Sequence, residues 1–268
     1  MNSTSAVTTA FAKAAGQERA ALVGYLPAGF PDKDTAISAA LAMAEAGADV
    51  IEVGLPYSDP LMDGPVIADA VYRSLRNGTR IKDVLDTVKA IADAGTAAVV
   101  MTYWNPVDHY GVETFARDLA NAGGSGLITP DLTPAESGDW PEISGKYGLD
   151  RVFLVAPSSP EHRIAEIAAA SSGFVYAASL MGITGTRDVV SSSAAGLVER
   201  TRAHTKLPVA VGLGVSNKEQ AHQVAAFADG VIVGSAFVRR LGEATDAASA
   251  VAAARSLAAD LAEGVRRG

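Results

Sequence analysis

The sequence contains no cysteine among its 268 residues, and this absence excludes several kinds of protein. Without thiols there is no disulfide framework, no thiolate nucleophile and no zinc–thiolate site. Histidine is scarce, and His109, His162, His204 and His222 lack the spacing of metal ligands, so we expect no metal site. Basic residues are fewer than acidic ones, with 22 Lys and Arg compared with 30 Asp and Glu. Phosphate backbones select basic surfaces, so a net charge of -8 argues against a nucleic-acid partner.

Long uncharged apolar runs are also missing. No stretch reaches the roughly 18 residues that a membrane span needs, and the N-terminal region lacks the basic start and apolar core of a signal peptide. We therefore expect no membrane association and a cytoplasmic location. Hydrophobic residues nevertheless make up 49% of the chain, which is enough to bury a substantial core.

Short β-rich apolar runs recur along the chain, with amphipathic helical patterns between them. Eight runs are candidate strands, at 21–26, 50–54, 97–103, 126–129, 151–156, 174–179, 208–212 and 230–234. Helical spacing is clear at Ile37, Leu41 and Ala44. Alternating apolar strands and helices are typical of a parallel sheet covered by helices. We predict a TIM (β/α)8 barrel, a single domain over 1–268 with an extra N-terminal segment and an extended loop after the second strand.

An open doubly wound sheet is the alternative architecture. Its dinucleotide-binding signature, GxGxxG after the first strand, is missing, because ALVGYLPAGFPD (21–32) has a proline-containing turn there. The barrel is therefore preferred. Gly47, Gly95 and Gly123 follow helical patterns and predict left-handed helix caps, while Pro65 after Gly64 predicts an additional helix over 65–77.

An acidic residue interrupts the second apolar run, VIEVG (50–54). A buried carboxylate is costly unless it is paired or used, and no Lys or Arg follows Glu52 before Arg73. If Glu52 points into the barrel it is a candidate general acid/base, and otherwise it is a structural residue paired with a distant cation; the strand register decides. Asp63, in the following loop, is either a second functional carboxylate or the cap of the next helix.

Three glycine-rich segments follow the last three candidate strands, at 182–185, 212–214 and 234–235. The loops after strands seven and eight of a barrel commonly bind phosphate through exposed backbone N–H groups. Each segment alone is explained by a tight turn, but together they predict a site for a small phosphorylated metabolite. No P-loop lysine follows them, which disfavours a nucleoside triphosphate. Tyr25, Tyr103, Phe153 and Tyr176 lie in or at the ends of strands, and they belong either to a pocket or simply to the core.

The segment IEVGLPYSDPLMDGP (51–65) closely resembles the signature of the tryptophan synthase alpha subunit family. GITG (182–185), GLGVS (212–216) and VGSAFV (233–238) resemble the phosphate-binding segments of that family, in the same order. The resemblance runs from about Ala21 to the C-terminus. It implies retro-aldol cleavage of indole-3-glycerol phosphate to indole and glyceraldehyde 3-phosphate in tryptophan biosynthesis, with no cofactor or metal. It also implies a pyridoxal-phosphate-dependent beta subunit that receives indole in an α₂β₂ assembly.

The same resemblance implies roles for individual residues. Glu52 corresponds to the catalytic acid/base at indole C3, and Asp63 to the catalytic aspartate at the indole N–H. The substrate pocket corresponds to Tyr25, Tyr103 and Tyr176. The phosphate contacts correspond to Gly185, Gly214, Gly234 and Ser235. Thr184 corresponds to part of a mobile lid over 180–190, and Pro56 and Asp59 to the beta-subunit interface.

Two positions depart from the family pattern. The lid carries Leu180-Met181 where a polar or basic pair is common, and the phosphate turn carries Leu213 where an aromatic residue is common. These departures affect the expected lid closure and substrate fit and leave the reaction unchanged. Two other functions stay open: a non-catalytic activator of the beta subunit, and another phosphate-binding barrel enzyme of amino-acid biosynthesis.

Overall fold

Parallel strands form a nearly closed barrel in the computed structural model, which describes residues 5–178 and 187–267, without side chains for 187–192. The strands are β1 Ala21–Pro27, β2 Val50–Gly54, β3 Ala97–Met101, β4 Gly126–Ile128, β5 Asp150–Val152, β6 Leu154–Val155, β7 Val175–Ala178, β8 Val209–Gly212 and β9 Gly230–Val233. Their spatial order is β5-β4-β3-β2-β1-β9-β8-β7-β6, and all neighbours are parallel. The predicted TIM barrel is confirmed.

The predicted fifth strand is divided at Phe153. Its first half, β5, pairs with β4, and its second half, β6, pairs with β7. The two ends of the sheet are therefore joined through one residue, and the nine strands of the described residues occupy eight barrel positions. The carbonyl of Phe153 accepts a hydrogen bond from the Tyr176 N–H at 3.2 Å, which continues the ladder across the break.

The helices cover the outside of the barrel, except for the first, which lies across one end. They are α1 Ala6–Gly16, α2 Lys33–Glu45, α3 Pro65–Arg76, α4 Ile81–Asp93, α5 Trp104–Tyr110, α6 Val112–Asn121, α7 Trp140–Tyr147, α8 Glu161–Ala170, α9 Arg187–Arg202, α10 Lys218–Ala225, α11 Ser235–Glu243 and α12 Ala247–Gly264, with a 3-10 turn at Pro134–Glu136. The first helix after a strand, α2, packs against the last, α12, and closes the ring. No helix within the described ranges is long and apolar enough to cross a membrane.

The most buried residues of α2 are not the ones that mark its helical spacing in the sequence. Ile37 and Leu41 are only half-buried, whereas Ala39 and Met43 are fully buried. Because α2 lies between the sheet and α12, its closest face carries small alanines and one flexible methionine. The helix itself was predicted correctly.

The helix boundaries follow the predicted punctuation. Gly47, Gly95 and Gly123 have φ values of +117°, +83° and +81°, the backbone conformation that the cap prediction requires. The predicted helix after Pro65 is α3, and its N-cap is Gly64. Asp63 makes no capping hydrogen bond there, so its interpretation as a helix cap is wrong.

The N-terminal segment closes one end of the barrel. Val7, Phe11 and Ala14 of α1 are buried in an inner core together with inward-facing strand residues, and the Phe11 ring stacks on Phe174 with centroids 5.2 Å apart. Ser5 caps α1 by accepting a hydrogen bond from the Thr8 N–H, and its hydroxyl donates to Asp150 at the start of β5. The helix is thus fixed across the N-terminal ends of the strands.

Candidate active site

Glu52 lies in the middle of β2 and points into the barrel. It is in register with Tyr25 on β1 and Val99 on β3, and Val99 belongs to the inner core. Its neighbours in sequence, Ile51 and Val53, pack in the outer core under the helices. Since side chains alternate along a strand, this pattern resolves the register that the sequence left open.

The Glu52 carboxyl group is sealed from water. The residue is 1% exposed, and its Oε2 atom has no hydrogen-bond partner among the described residues. Burial, followed by the negative charge of Asp63, raises the pKa of Glu52 from 4.5 to about 8. Glu52 is therefore a carboxylic acid at neutral pH, with a proton to give. No cluster of three or more potential metal ligands is found in the described part of the chain.

Asp63 reaches the mouth of the barrel from the loop between β2 and α3. Its Oδ1 atom accepts a hydrogen bond of 3.2 Å from the Tyr103 hydroxyl. Partial burial raises the pKa of Asp63 above 3.8, and the hydrogen bond from Tyr103 opposes that rise. The charge of Asp63 acts on the titration of Glu52, so Asp63 ionises first. The site then holds one protonated and one ionised carboxyl group.

Tyr25 and Tyr176 lie on the inner face of the barrel near Glu52, and each ring rests against a glycine of the next strand. A Cβ atom on Gly54 would stand 2.7 Å from Cε2 of Tyr25, and one on Gly212 would stand 2.8 Å from Cε1 of Tyr176. Burial raises the pKa of both phenols above 10, and negative carboxylates nearby raise it further. Both hydroxyls therefore stay protonated. Gly212 has a steric reason for being glycine, which the sequence did not reveal.

The predicted phosphate-binding residues that the structure describes follow two neighbouring strands. Gly214 follows β8 and Gly234 follows β9, and these strands are neighbours with Gly212 paired to Ile232. Gly234 is the N-cap of α11 and Ser235 its first residue, and no side chain of the described residues caps that helix. Its first backbone N–H groups are thus free of a side-chain cap. Thr184 and Gly185, together with Leu180 and Met181, lie outside the described residues.

The loop between β2 and α3 exposes an apolar tip. Pro56 is buried, and Asp59 is exposed with its carboxylate accepting a hydrogen bond from Ser58. Leu61 and Met62, which sequence reasoning passed over, are 80% and 55% exposed. Large exposed apolar side chains in adjacent positions are unusual on a free surface and indicate a contact site.

Two residues near the mouth were missed from the sequence. Met101 on β3 and Leu154 on β6 are half-buried and pack against the inner core with Tyr176. Met101 lies two residues after Val99 and therefore points to the same face of β3, and this spacing is the sequence feature that could have identified it. The run AAVVM (97–101) is apolar on both faces, so the alternation is invisible without the register of β2.

The comparisons with known proteins agree with this geometry. Residues 11–266 match the family model described as "Tryptophan synthase alpha chain". The chain belongs to this family. The tryptophan synthase alpha chain of Thermobifida fusca is 60% identical over 258 residues, covering 95% of this chain and 96% of its own length. That of Nocardia farcinica is 55% identical over 266 residues, covering 99% and 98%.

Solved structures of tryptophan synthase share the fold. One from Mycobacterium tuberculosis superimposes with a TM-score of 0.92 at 53% identity, covering 99% of this chain and 100% of that chain. The alpha subunit of tryptophan synthase from Legionella pneumophila gives a TM-score of 0.89 at 30% identity, covering 98% and 99%. The family resemblance found in the sequence is confirmed.

Proposed function

We propose that the chain is an alpha subunit of tryptophan biosynthesis that cleaves indole-3-glycerol phosphate to indole and glyceraldehyde 3-phosphate, with Glu52 and Asp63 as its acid–base pair. The assignment of this reaction is supported by membership of the tryptophan synthase alpha chain family. The residue assignment rests on one observation: Glu52 is buried, inward-facing and protonated at neutral pH in the same site as an ionisable Asp63. A single domain over residues 1–268 and a cytoplasmic location form part of this proposal.

The first step is a proton transfer to the indole ring. The bond between indole C3 and the glycerol side chain breaks only if the ring can accept its electrons. Glu52, as the neutral acid, donates its proton to C3, which leaves positive charge at the ring nitrogen. Asp63, as the carboxylate, accepts a hydrogen bond from that N–H and stabilises the charge.

The second step breaks the carbon–carbon bond. Glu52 is now a carboxylate in a site that disfavours its charge, so it readily takes the proton of the hydroxyl group next to C3. The oxygen becomes the aldehyde of glyceraldehyde 3-phosphate, and the bonding electrons return to the ring. The C3 proton stays on indole, and Glu52 ends as the acid with which it began.

The phosphate group belongs at the ends of β8 and β9 in this proposal. The uncapped N-terminus of α11, at Gly234 and Ser235, offers backbone N–H groups and a favourable dipole. Gly214 comes from the adjacent loop. The family resemblance implies that Gly185 completes the set and that Thr184 belongs to a lid; both residues lie outside the described part of the chain. Tyr25, Tyr103 and Tyr176 form the indole pocket.

The beta subunit belongs at the loop between β2 and α3. Asp59 and the exposed apolar side chains of Leu61 and Met62 offer it a contact surface in an α₂β₂ assembly. Pro56 belongs to the same loop and is buried. Indole released beside Glu52 then passes to that partner.

Indole release from indole-3-glycerol phosphate tests the proposal. Wild type and Glu52→Gln are compared with and without a beta subunit, and Asp59→Asn serves as a matched control because it neutralises an exposed carboxylate of the following loop. We expect Glu52→Gln to lose kcat by about a thousand-fold and Asp59→Asn to keep cleavage in the absence of the partner. Undiminished cleavage by Glu52→Gln would remove its role. Absence of cleavage by wild type even with the partner would leave the activator function.

A further inference from the structure

The Tyr103 hydroxyl holds two consecutive residues of the loop between β2 and α3. It accepts a hydrogen bond of 2.9 Å from the backbone N–H of Met62, and it donates one of 3.2 Å to the carboxylate of Asp63. A phenol has one proton to donate and lone pairs to accept with, so both contacts form at the same time. The hydroxyl therefore fixes the backbone and the side chain of this loop together.

The body of Tyr103 is anchored independently of its hydroxyl. The residue directly precedes α5 as its N-cap and is only 5% exposed. Its ring packs against Tyr57 with centroids 5.5 Å apart. The barrel thus holds the backbone and the ring of Tyr103 in place, and the phenolic oxygen contacts the loop.

The loop itself has few other ties. Leu61 and Met62 are largely exposed. Gly64 is the N-cap residue of α3 and has no side chain with which to make a capping hydrogen bond. Among the described residues, Tyr103 is the side chain that hydrogen-bonds to Asp63. A catalytic carboxylate on such a segment needs a fixed partner, because small displacements of a catalytic group cost rate.

We propose that Tyr103 is a positioning residue, whose hydroxyl clamps Met62 and Asp63 so that the Asp63 carboxylate stays ionised and aimed at the ring nitrogen. This inference rests on the proposed function. It adds to the pocket role of Tyr103 the two hydrogen bonds that hold Met62 and Asp63. It acts through Asp63, since the phenol takes no proton in the reaction.

Tyr103→Phe removes the hydroxyl and keeps the ring, and Tyr57→Phe is the matched control because it leaves both hydrogen bonds in place. Since the lost bond stabilises the charged form of Asp63, we expect its pKa to rise by about one unit, which is a ten-fold change in its protonation equilibrium. The rise is measured by ¹³C NMR titration of the Asp63 carboxyl group, assigned with Asp63→Asn. The Met62 amide should also exchange its hydrogen faster.

The kinetic consequence separates positioning from packing. Tyr103→Phe should lose kcat/KM at every pH, because Asp63 is held less firmly, and should lose about ten-fold more at low pH, because the acidic limb moves up with the Asp63 titration. Tyr57→Phe should keep the wild-type profile. An Asp63 titration and a Met62 exchange rate that both match wild type would overturn the proposal. Absence of cleavage by wild type would instead refute the proposed function, and the NMR titration separates the two failures.

Discussion

Burial, followed by the ionised carboxylate of Asp63, raises the pKa of Glu52, and the two residues lie in different surroundings. Glu52 is enclosed by the barrel, whereas Asp63 is half-buried and receives a hydrogen bond from Tyr103. Two carboxyl groups of similar intrinsic acidity are thereby separated into an acid and a base. This separation is what the proposed cleavage requires, and it can be tested by titration.

The rate of indole release should depend on pH with a bell shape. The active form has Asp63 ionised and Glu52 protonated, so activity rises as Asp63 loses its proton, above pH 3.8, and falls as Glu52 loses its own near pH 8. The profile of kcat/KM measures both limbs, because it reports the free enzyme to which these pKa values belong. A rate that keeps rising through pH 9 would contradict the role of Glu52 as the acid.

Asp63→Asn should lower kcat and shift the remaining profile. Loss of the carboxylate at the ring nitrogen should reduce kcat by about a hundred-fold or more. Because the charge of Asp63 raises the pKa of Glu52, its removal should also move the Glu52 titration below about 8. NMR titration of Glu52 in this variant measures the shift, with Asp59→Asn as the control. An unchanged Glu52 titration would show that the two groups are not coupled.

Glu52 should make the protein less stable at high pH. Its pKa is about 8 in the folded chain and near 4.5 when unfolded, so its neutral form is favoured by folding. That contribution is complete below pH 4.5 and is lost as the pH rises through 8, amounting to roughly 4 kcal/mol between pH 5 and pH 9. Glu52→Gln removes this term. Urea unfolding at both pH values should show that, from pH 5 to pH 9, the free energy of unfolding falls less for Glu52→Gln than for wild type. An equal fall in the two proteins would contradict the argument that burial raises the pKa of Glu52.

Gly212→Ala should disturb Tyr176 without touching the catalytic carboxylates. The added Cβ would meet the phenol ring at distances that no real contact tolerates, so the ring must move. We expect a loss of about 1–3 kcal/mol in the free energy of unfolding and a higher KM. Gly196→Ala in α9 is the control, because a Cβ there meets nothing within 4 Å. Equal stability of the two variants would show that Gly212 makes no room for the ring.

Phe11→Ala should destabilise the barrel from its N-terminal end. The ring is buried in the inner core and stacks on Phe174, so its loss should cost about 3–5 kcal/mol. Ala12→Ser, on the exposed side of α1, should change the free energy of unfolding by less than about 0.5 kcal/mol. Chemical denaturation of both variants measures the difference, and a small effect of Phe11→Ala would mean that α1 is only loosely attached.

The sequence was informative where local chemistry decides the structure. Glycine caps, the helix after Pro65 and the alternation of strands with helices follow from backbone preferences, and the structure has them. The inward direction of Glu52 was beyond reach, because register depends on β1 and β3, which are far away in sequence. The interruption at Phe153 was equally hidden, since RVFLVA (151–156) reads as one continuous apolar run. The link between Tyr103 and Asp63, 40 residues apart, is also a product of tertiary structure.

The helix α1 gives the barrel a floor. Val7, Phe11 and Ala14 fill the space below the inner strand residues, on the side of the barrel opposite the loop that carries Asp63. A small product formed beside Glu52 therefore has α1 behind it and the loop that carries Asp63 in front of it. A receiver of that product belongs at the Asp63 end of the barrel, so the N-terminal helix, although remote from the chemistry, restricts where a partner can bind.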